Sequence, residues 1–259
     1  MRLQSEKKVT VKNKVLGGPI PLICLPLIAK DRSALLQQTA ELVRLDPDLI
    51  EWRIDGYDQV TDIGACLAAL QALKAAMGSI PLIFTCRIHV EGGFKKISQE
   101  TRLELITTAV GSGNVEIVDV EICNEPAFIE KVKKTTQTGN AKLILSYHNF
   151  DKTPDETFIY DKLLRAQDLG ADIAKLAVMP KDYADVLTLL GATLKARTGR
   201  VNVPIVTMSM GPEGQVTRVA GGLFGSDLTF AVGKEASAPG QIPIGGLRQA
   251  MKVLYELNN

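Results

Sequence analysis

Apolar runs recur along the 259-residue chain at intervals of roughly 25–35 residues, and that alternation limits the fold more than any other feature. They fall at residues 22–28, 49–55, 82–87, 117–122, 143–148, 173–179 and 205–210, with a weaker one near 228–232. The runs are mostly apolar rather than alternating, as strands are when a parallel sheet is covered by helices. Helical patterns lie between them. One begins at Ser33 and carries Leu35, Leu36, Leu42 and Val43 on a common face; others span 61–77, 98–110, 182–196 and 247–257. Ser98 and Thr101 offer capping hydroxyls. Thr153-Pro154-Asp155-Glu156 reads as a helix start with a threonine cap, proline in the first turn and acids at the positive end of the dipole. About eight strand–helix units in about 250 residues predict a (β/α)8 barrel. The competing fold is a doubly wound open sheet, but Ile28-Ala29-Lys30-Asp31 stands where the dinucleotide fingerprint would follow the first strand. Val9-Thr10-Val11 and Val15-Leu16 predict a hairpin closing the barrel floor. No Gly/Ser/Pro-rich break divides residues 1–259, which read as one domain.

Bulk properties narrow the partners. Net charge is +1 without a basic stripe, and aromatic residues are only 5%, so neither nucleic acid nor an anionic membrane is expected to bind. No apolar run reaches membrane-spanning length, and residues 1–8 are too polar for a signal peptide; the expected location is the cytoplasm. Cys24, Cys66, Cys86 and Cys123 are widely spaced, which suits reduced, buried thiols. With only His89 and His148, a multi-histidine metal centre is not expected.

Polar residues interrupt the apolar strands at spacing two. Glu51, Arg53 and Asp55 share one side of their strand; Thr85 and Arg87, Asp119 and Glu121, and Ser146 and His148 repeat the pattern. Lys175 stands inside Ile173-Ala174-Lys175-Leu176-Ala177. Burial would strip water from its ammonium and favour the neutral amine, a nucleophile towards carbonyls. An edge strand with the lysine directed to water is the alternative, and the run alone does not separate the two. Within a barrel these sets would converge on one cavity at the C-terminal ends of the strands. Asp119 and Glu121 read equally well as a structural network, and His89 is assigned to a loop without a role.

Six motifs occur in order: Glu51-Trp52-Arg53; Phe84-Thr85-Cys86-Arg87 with Glu91-Gly92-Gly93; Ser146-Tyr147-His148-Asn149-Phe150; Lys175-Leu176-Ala177-Val178-Met179-Pro180; Thr207-Met208-Ser209-Met210-Gly211; and Ser237-Ala238-Pro239-Gly240-Gln241. Together they resemble the type I 3-dehydroquinate dehydratases of the shikimate pathway, from about Ile23 to the last helix. The resemblance implies a (β/α)8 barrel and a homodimer. It also implies dehydration of 3-dehydroquinate to 3-dehydroshikimate through an imine, without metal or organic cofactor. Carried over by motif, Lys175 forms the Schiff base, His148 is the general base and acid, and Glu91 supports the histidine. Arg218 holds the substrate carboxylate; Glu51, Arg53 and Arg87 contact the ring hydroxyls; Ser237 and Gln241 close over the substrate. Pro26 departs from the pattern, since some relatives carry a serine there, and proline has neither hydroxyl nor backbone donor. Residues 233–246, rich in small residues, are expected to form a lid whose Ser237 and Gln241 order with substrate. A class I aldolase would share the lysine but not the remaining set, and a non-catalytic binder would not need a nucleophile beside a base.

Overall fold

The structure, a computed structural model, describes residues 2–233 and 237–256. An antiparallel hairpin comes first, with β1 (Val9–Val11) and β2 (Lys14–Leu16) pairing Val9 opposite Leu16. Strands and helices then alternate: β3 (Leu22–Leu27), α1 (Arg32–Arg44), β4 (Leu49–Arg53), α2 (Ile63–Met77), β5 (Leu82–Thr85), α3 (Gln99–Gly111), β6 (Ile117–Glu121) and α4 (Pro126–Thr138). The second half continues with β7 (Lys142–Asn149), α5 (Glu156–Asp168), β8 (Ile173–Val178), α6 (Tyr183–Thr198), β9 (Ile205–Ser209), α7 (Gln215–Ala220), β10 (Leu228–Phe230) and α8 (Ile244–Met251). Strands β3 to β10 are parallel neighbours in chain order, and β10 pairs with β3. The seam between β9 and β10 closes through a bridge from Ile205 to Ser226 and the Asp227 N–H donating to the Ile205 carbonyl at 2.7 Å. The result is the (β/α)8 barrel.

Two apolar layers hold it. Outward-facing strand residues such as Trp52, Phe84, Leu145 and Leu176 pack under the helices with Leu70, Leu105 and Leu189. Inside the barrel, Cys24, Leu49, Ile83, Ile117, Ile144, Ile173, Val206 and Leu228 form a separate cluster sealed from below by Val9, Val11 and Leu16 of the hairpin. Each such aliphatic contributes about 1.5–3 kcal/mol by leaving water. The hairpin therefore closes the barrel floor.

Aspartate and serine set most helix starts. Asp31, Asp62, Ser98, Asp155 and Asp182 each accept the N–H three residues on, worth about 1 kcal/mol apiece. Two expected starts shift accordingly. The first helix is capped by Asp31 rather than begun by Ser33. Asp155 replaces Thr153 as the cap of α5, because the threonine hydroxyl donates instead to the Met179 carbonyl at 3.0 Å. Helix α4, not evident from the sequence pattern, opens on Pro126 and buries Phe128, Ile129 and Val132. The last helix begins at Ile244, and position 257 of its expected span lies outside the described residues. Cys24, Cys66 and Cys86 are buried free thiols, but Cys123 is exposed: β6 ends at Glu121, which leaves this cysteine on the following loop. No described helix is long and apolar enough to cross a membrane.

Candidate active site

On β4 to β8 the inward-facing positions are apolar at the barrel floor and polar towards the C-terminal end. Ile83 gives way to Thr85, Ile117 to Asp119 and Glu121, Ile144 to Ser146, and Ile173 to Lys175. At that end a pocket is lined by seven expected residues: Glu51, Arg53, Arg87, His148, Lys175, Ser237 and Gln241. Met208, Met210 and Phe230 complete one wall.

Lys175 is 6% exposed, which excludes the edge-strand alternative, since β8 is hydrogen-bonded to β7 and β9 on its two sides. Its Nζ donates to Asp119 Oδ2 at 2.8 Å and to Glu51 Oε1 at 3.5 Å, and stands 4.5 Å from the centroid of the Phe230 ring. Glu51 is fixed in turn by Thr85, whose hydroxyl donates to Oε1 at 2.9 Å.

Arg87 lies just past β5 and knits the floor of the pocket. Its Nη2 pairs with Asp119 Oδ2 at 2.9 Å, and Nη1 donates to Glu121 Oε1 at 2.9 Å and to Ser146 Oγ at 2.7 Å. Burial opposes its charge, but Asp119 and Glu121 hold the guanidinium above its ordinary value. Burial likewise opposes ionisation of Asp119, yet Arg87 and Lys175 keep this carboxyl far below the usual carboxylate range. Arg53 is clamped in a two-point pair with Asp55 (2.9 and 2.8 Å) and donates to the Gly92 carbonyl at 2.9 Å. Asp55 does not continue the strand as its spacing suggested: the chain turns at Ile54–Gly56, and Asp55 also accepts from the Arg87 and Phe94 N–H groups.

His148 is held from behind. Glu91 Oε2 accepts from its backbone N–H at 2.9 Å and lies 3.0 Å from Nδ1. With Nδ1 carrying the proton towards the carboxylate, Nε2 is free to act as a base. Burial first, then the charges of Arg87 and Lys175, push the imidazole well below its usual value, so the ring is held neutral. Burial pushes Glu91 up to about 7. Glu91 thus stands behind the histidine and outside the pocket lining. Its loop needs both glycines: Gly92 has φ +85°, and a Cβ on Gly93 would meet the Arg87 carbonyl at 2.2 Å. His89 lies in the same turn, its ring on the Gly93 carbonyl.

Arg218, like Glu91, is an expected residue that does not line the cavity. It lies behind Met208 and Phe230, 2% exposed, donating to the Phe230 carbonyl at 3.2 Å and the Pro239 carbonyl at 2.9 Å. Its buried Nε has no hydrogen-bond partner, no described carboxylate pairs with it, and burial lowers it to about 10. Ser237 and Gln241 are joined, the Ser237 N–H donating to Oε1 at 2.9 Å and Nε2 to the serine hydroxyl at 3.1 Å. Residues 234–236 of the expected lid lie outside the described residues. The rest is anchored: Pro239 also accepts from the Gly211 N–H at 3.3 Å, and Val232 pairs with Pro243. Pro26 is buried on β3, in register with Glu51. Among the described residues no group of three or more His, Cys, Asp or Glu side chains is placed to hold a metal ion.

Asp119, Glu121 and Ser146 stand out in the sequence as polar strand positions, with nothing there to separate site from scaffold; the structure joins all three to Arg87, and Asp119 to Lys175 as well. The contact of Cys123 with Glu91 had no signal, because it joins residues 32 apart in the chain.

The family model for type I 3-dehydroquinase matches residues 23–258. The 3-dehydroquinate dehydratase of Listeria innocua is 42% identical over 249 residues, covering 96% of this chain and 98% of the relative. That of Klebsiella pneumoniae is 44% identical over 246 residues, covering 95% and 98%. Among solved structures, 3-dehydroquinate dehydratase from Geobacillus kaustophilus superposes with a TM-score of 0.96 at 39% identity, with both chains covered in full.

Proposed function

The chain belongs to the type I 3-dehydroquinase family, and on that footing we propose that it dehydrates 3-dehydroquinate to 3-dehydroshikimate through an imine on Lys175, a step of the shikimate pathway. The observation that carries this reading is the placement of a buried lysine amine and a neutral, carboxylate-backed histidine on one small pocket.

The proton to be removed lies beside a ketone and is poorly acidic, so a base alone would be slow. Lys175 attacks the ketone carbon, and loss of the carbonyl oxygen as water leaves an iminium, an electron sink. His148 Nε2 removes the adjacent proton to give an enamine. The enamine expels the β-hydroxyl, which takes that proton back from the imidazolium and leaves as water. Addition of water to the iminium frees the product and restores the amine. Asp119 stays a carboxylate throughout and stabilises the iminium, an electrostatic contribution already built into the floor. Glu51, Arg53 and Arg87 shape the walls that receive the ring hydroxyls. Arg218, a buried cation with an unfilled Nε donor, supplies the charge that draws the substrate carboxylate towards Ser237 and Gln241. A solved type I enzyme from Clostridium difficile, 39% identical over 97% of this chain with a TM-score of 0.94, carries a covalent modified comenic acid, which supports covalent chemistry by this family. The active form we propose is a homodimer, to be checked by sedimentation.

Mixing the protein with 3-dehydroquinate should produce the ultraviolet absorbance of a conjugated enone. No absorbance at any pH between about 6 and 9 would defeat the reading. Borohydride added with substrate should attach mass to the wild-type chain and none to Lys175→Ala.

A further inference from the structure

Both oxygens of Glu91 are occupied, and only Oε2 serves the histidine. Oε1 accepts a hydrogen bond from Cys123 Sγ at 3.2 Å. Cys123 follows β6 by two positions and is the cysteine that the fold leaves exposed, whereas Cys24, Cys66 and Cys86 are enclosed. Its thiol is kept protonated. Although the residue as a whole is exposed, partial burial of the sulfur, with the facing Glu91 charge, pushes the thiol up to about 12, so it remains a donor across the working range. We propose that Cys123 is a positioning residue for the dehydration: its S–H fixes Oε1 of Glu91 and leaves Oε2 to hold the His148 ring with Nε2 towards the substrate. The inference rests on the roles of His148 and Glu91 given above.

The carboxylate works in a crowded field. Arg87 from the end of β5 and the His148 N–H from β7 favour its charge, as the thiol does, while burial and Glu121 from β6 oppose it. His148 itself is faced by Arg87, Lys175, Asp119 and Arg53. Removing the thiol takes away one of the few contacts that favour the carboxylate, so Glu91 would hold its proton to higher pH. A protonated Glu91 is a poorer acceptor for Nδ1–H and no longer fixes the tautomer that leaves Nε2 free. Activity should then be lost on the acid side at a higher pH than in the wild type.

The test is the pH profile of kcat for wild type, Cys123→Ala, Cys123→Ser and Glu91→Gln, with KM measured alongside. Cys123→Ala should move the acid limb upwards by about half a unit to one unit, the size of a weak hydrogen bond to a charged acceptor, with KM little changed. Cys123→Ser, which keeps a donor at the same place, should bring the limb back towards the wild type. Superimposable wild-type and Cys123→Ala profiles would overturn the inference, as would a serine variant displaced as far as the alanine one. A Glu91→Gln enzyme with the wild-type profile would remove the carboxylate from the reaction and overturn both the inference and the role beneath it. An altered Glu91→Gln profile beside an unmoved Cys123→Ala profile would overturn the inference alone.

Discussion

Asp119 shows most directly how single side chains make this pocket. It is fully buried, yet it accepts from Arg87 and Lys175, whose side chains are themselves buried. Removing one partner of such a group leaves an uncompensated charge in the interior, typically a loss of about 3–5 kcal/mol. Asp119→Ala should therefore lower stability by that order in denaturant titration, whereas Asp119→Asn should keep more of the fold and still lose turnover, because it would no longer stabilise the proposed iminium. His148→Ala should still be trapped by borohydride with substrate while kcat falls by about 10²–10⁴-fold; normal turnover would disprove the role of the histidine. The pH profile follows from the same pair. The proposed roles need Glu91 ionised and the ring neutral, and Glu91 is pushed up to about 7, so kcat should fall as pH drops through about 7 rather than through the ordinary carboxylate range. Lys175, His148 and the strand acids were legible in the sequence because polar residues stand out against apolar runs. Which acid pairs with which cation was not legible, since Asp119 and Lys175 are 56 residues apart and meet only across β7.

Elements decide how the pocket is closed. The stretch after β10 carries Ser237 and Gln241 and crosses Gly211, which follows β9. At Gly240, φ is +76° and a Cβ would stand 2.1 Å from the Gly211 carbonyl oxygen. Both the left-handed backbone and the close crossing exclude a larger residue. Gly240→Ala should displace Ser237 and Gln241 together, raising KM for 3-dehydroquinate by about tenfold or more, of the order expected when a positioned polar contact is lost, with little change in the barrel's melting temperature. A wild-type KM would show that the crossing does not place those two side chains. Motif order identified this segment, but not its anchoring by Arg218 through Pro239, which comes from a helix placed before the strand that precedes it. The misplaced helix starts have a similar cause. Thr153 and Asp155 both have capping oxygens, and the choice between them turned on the Met179 carbonyl, a tertiary neighbour.

On the scale of the whole molecule the barrel has a weak point, the seam between β9 and β10, which an isolated bridge closes in place of a strand ladder. Asp227 holds it from beneath, accepting from the Ile205 N–H at 2.9 Å, from Arg197 at 2.5 Å and from Arg2. The acid and both guanidinium side chains are almost wholly enclosed. Asp227→Ala should cost about 3–5 kcal/mol of stability, read from denaturant midpoints, while the kcat of the molecules that remain folded stays near wild type, because Asp227 lies before β10, at the end of the barrel away from the pocket. A variant as stable as the wild type would show that β9 and β10 hold together without it. The sequence by itself determined the repeating strand–helix unit, the parallel sheet buried on both faces, the floor hairpin and the side of each strand that carries its polar residues, because periodicity and hydropathy act between neighbours in the chain. Only the tertiary structure decided that Arg87 is spent on Asp119, Glu121 and Ser146, that Arg218 stands behind the wall, and that an exposed cysteine reaches the carboxylate behind His148. Those pairings depend on strand stagger and barrel closure, which place groups from distant parts of the chain within hydrogen-bond reach.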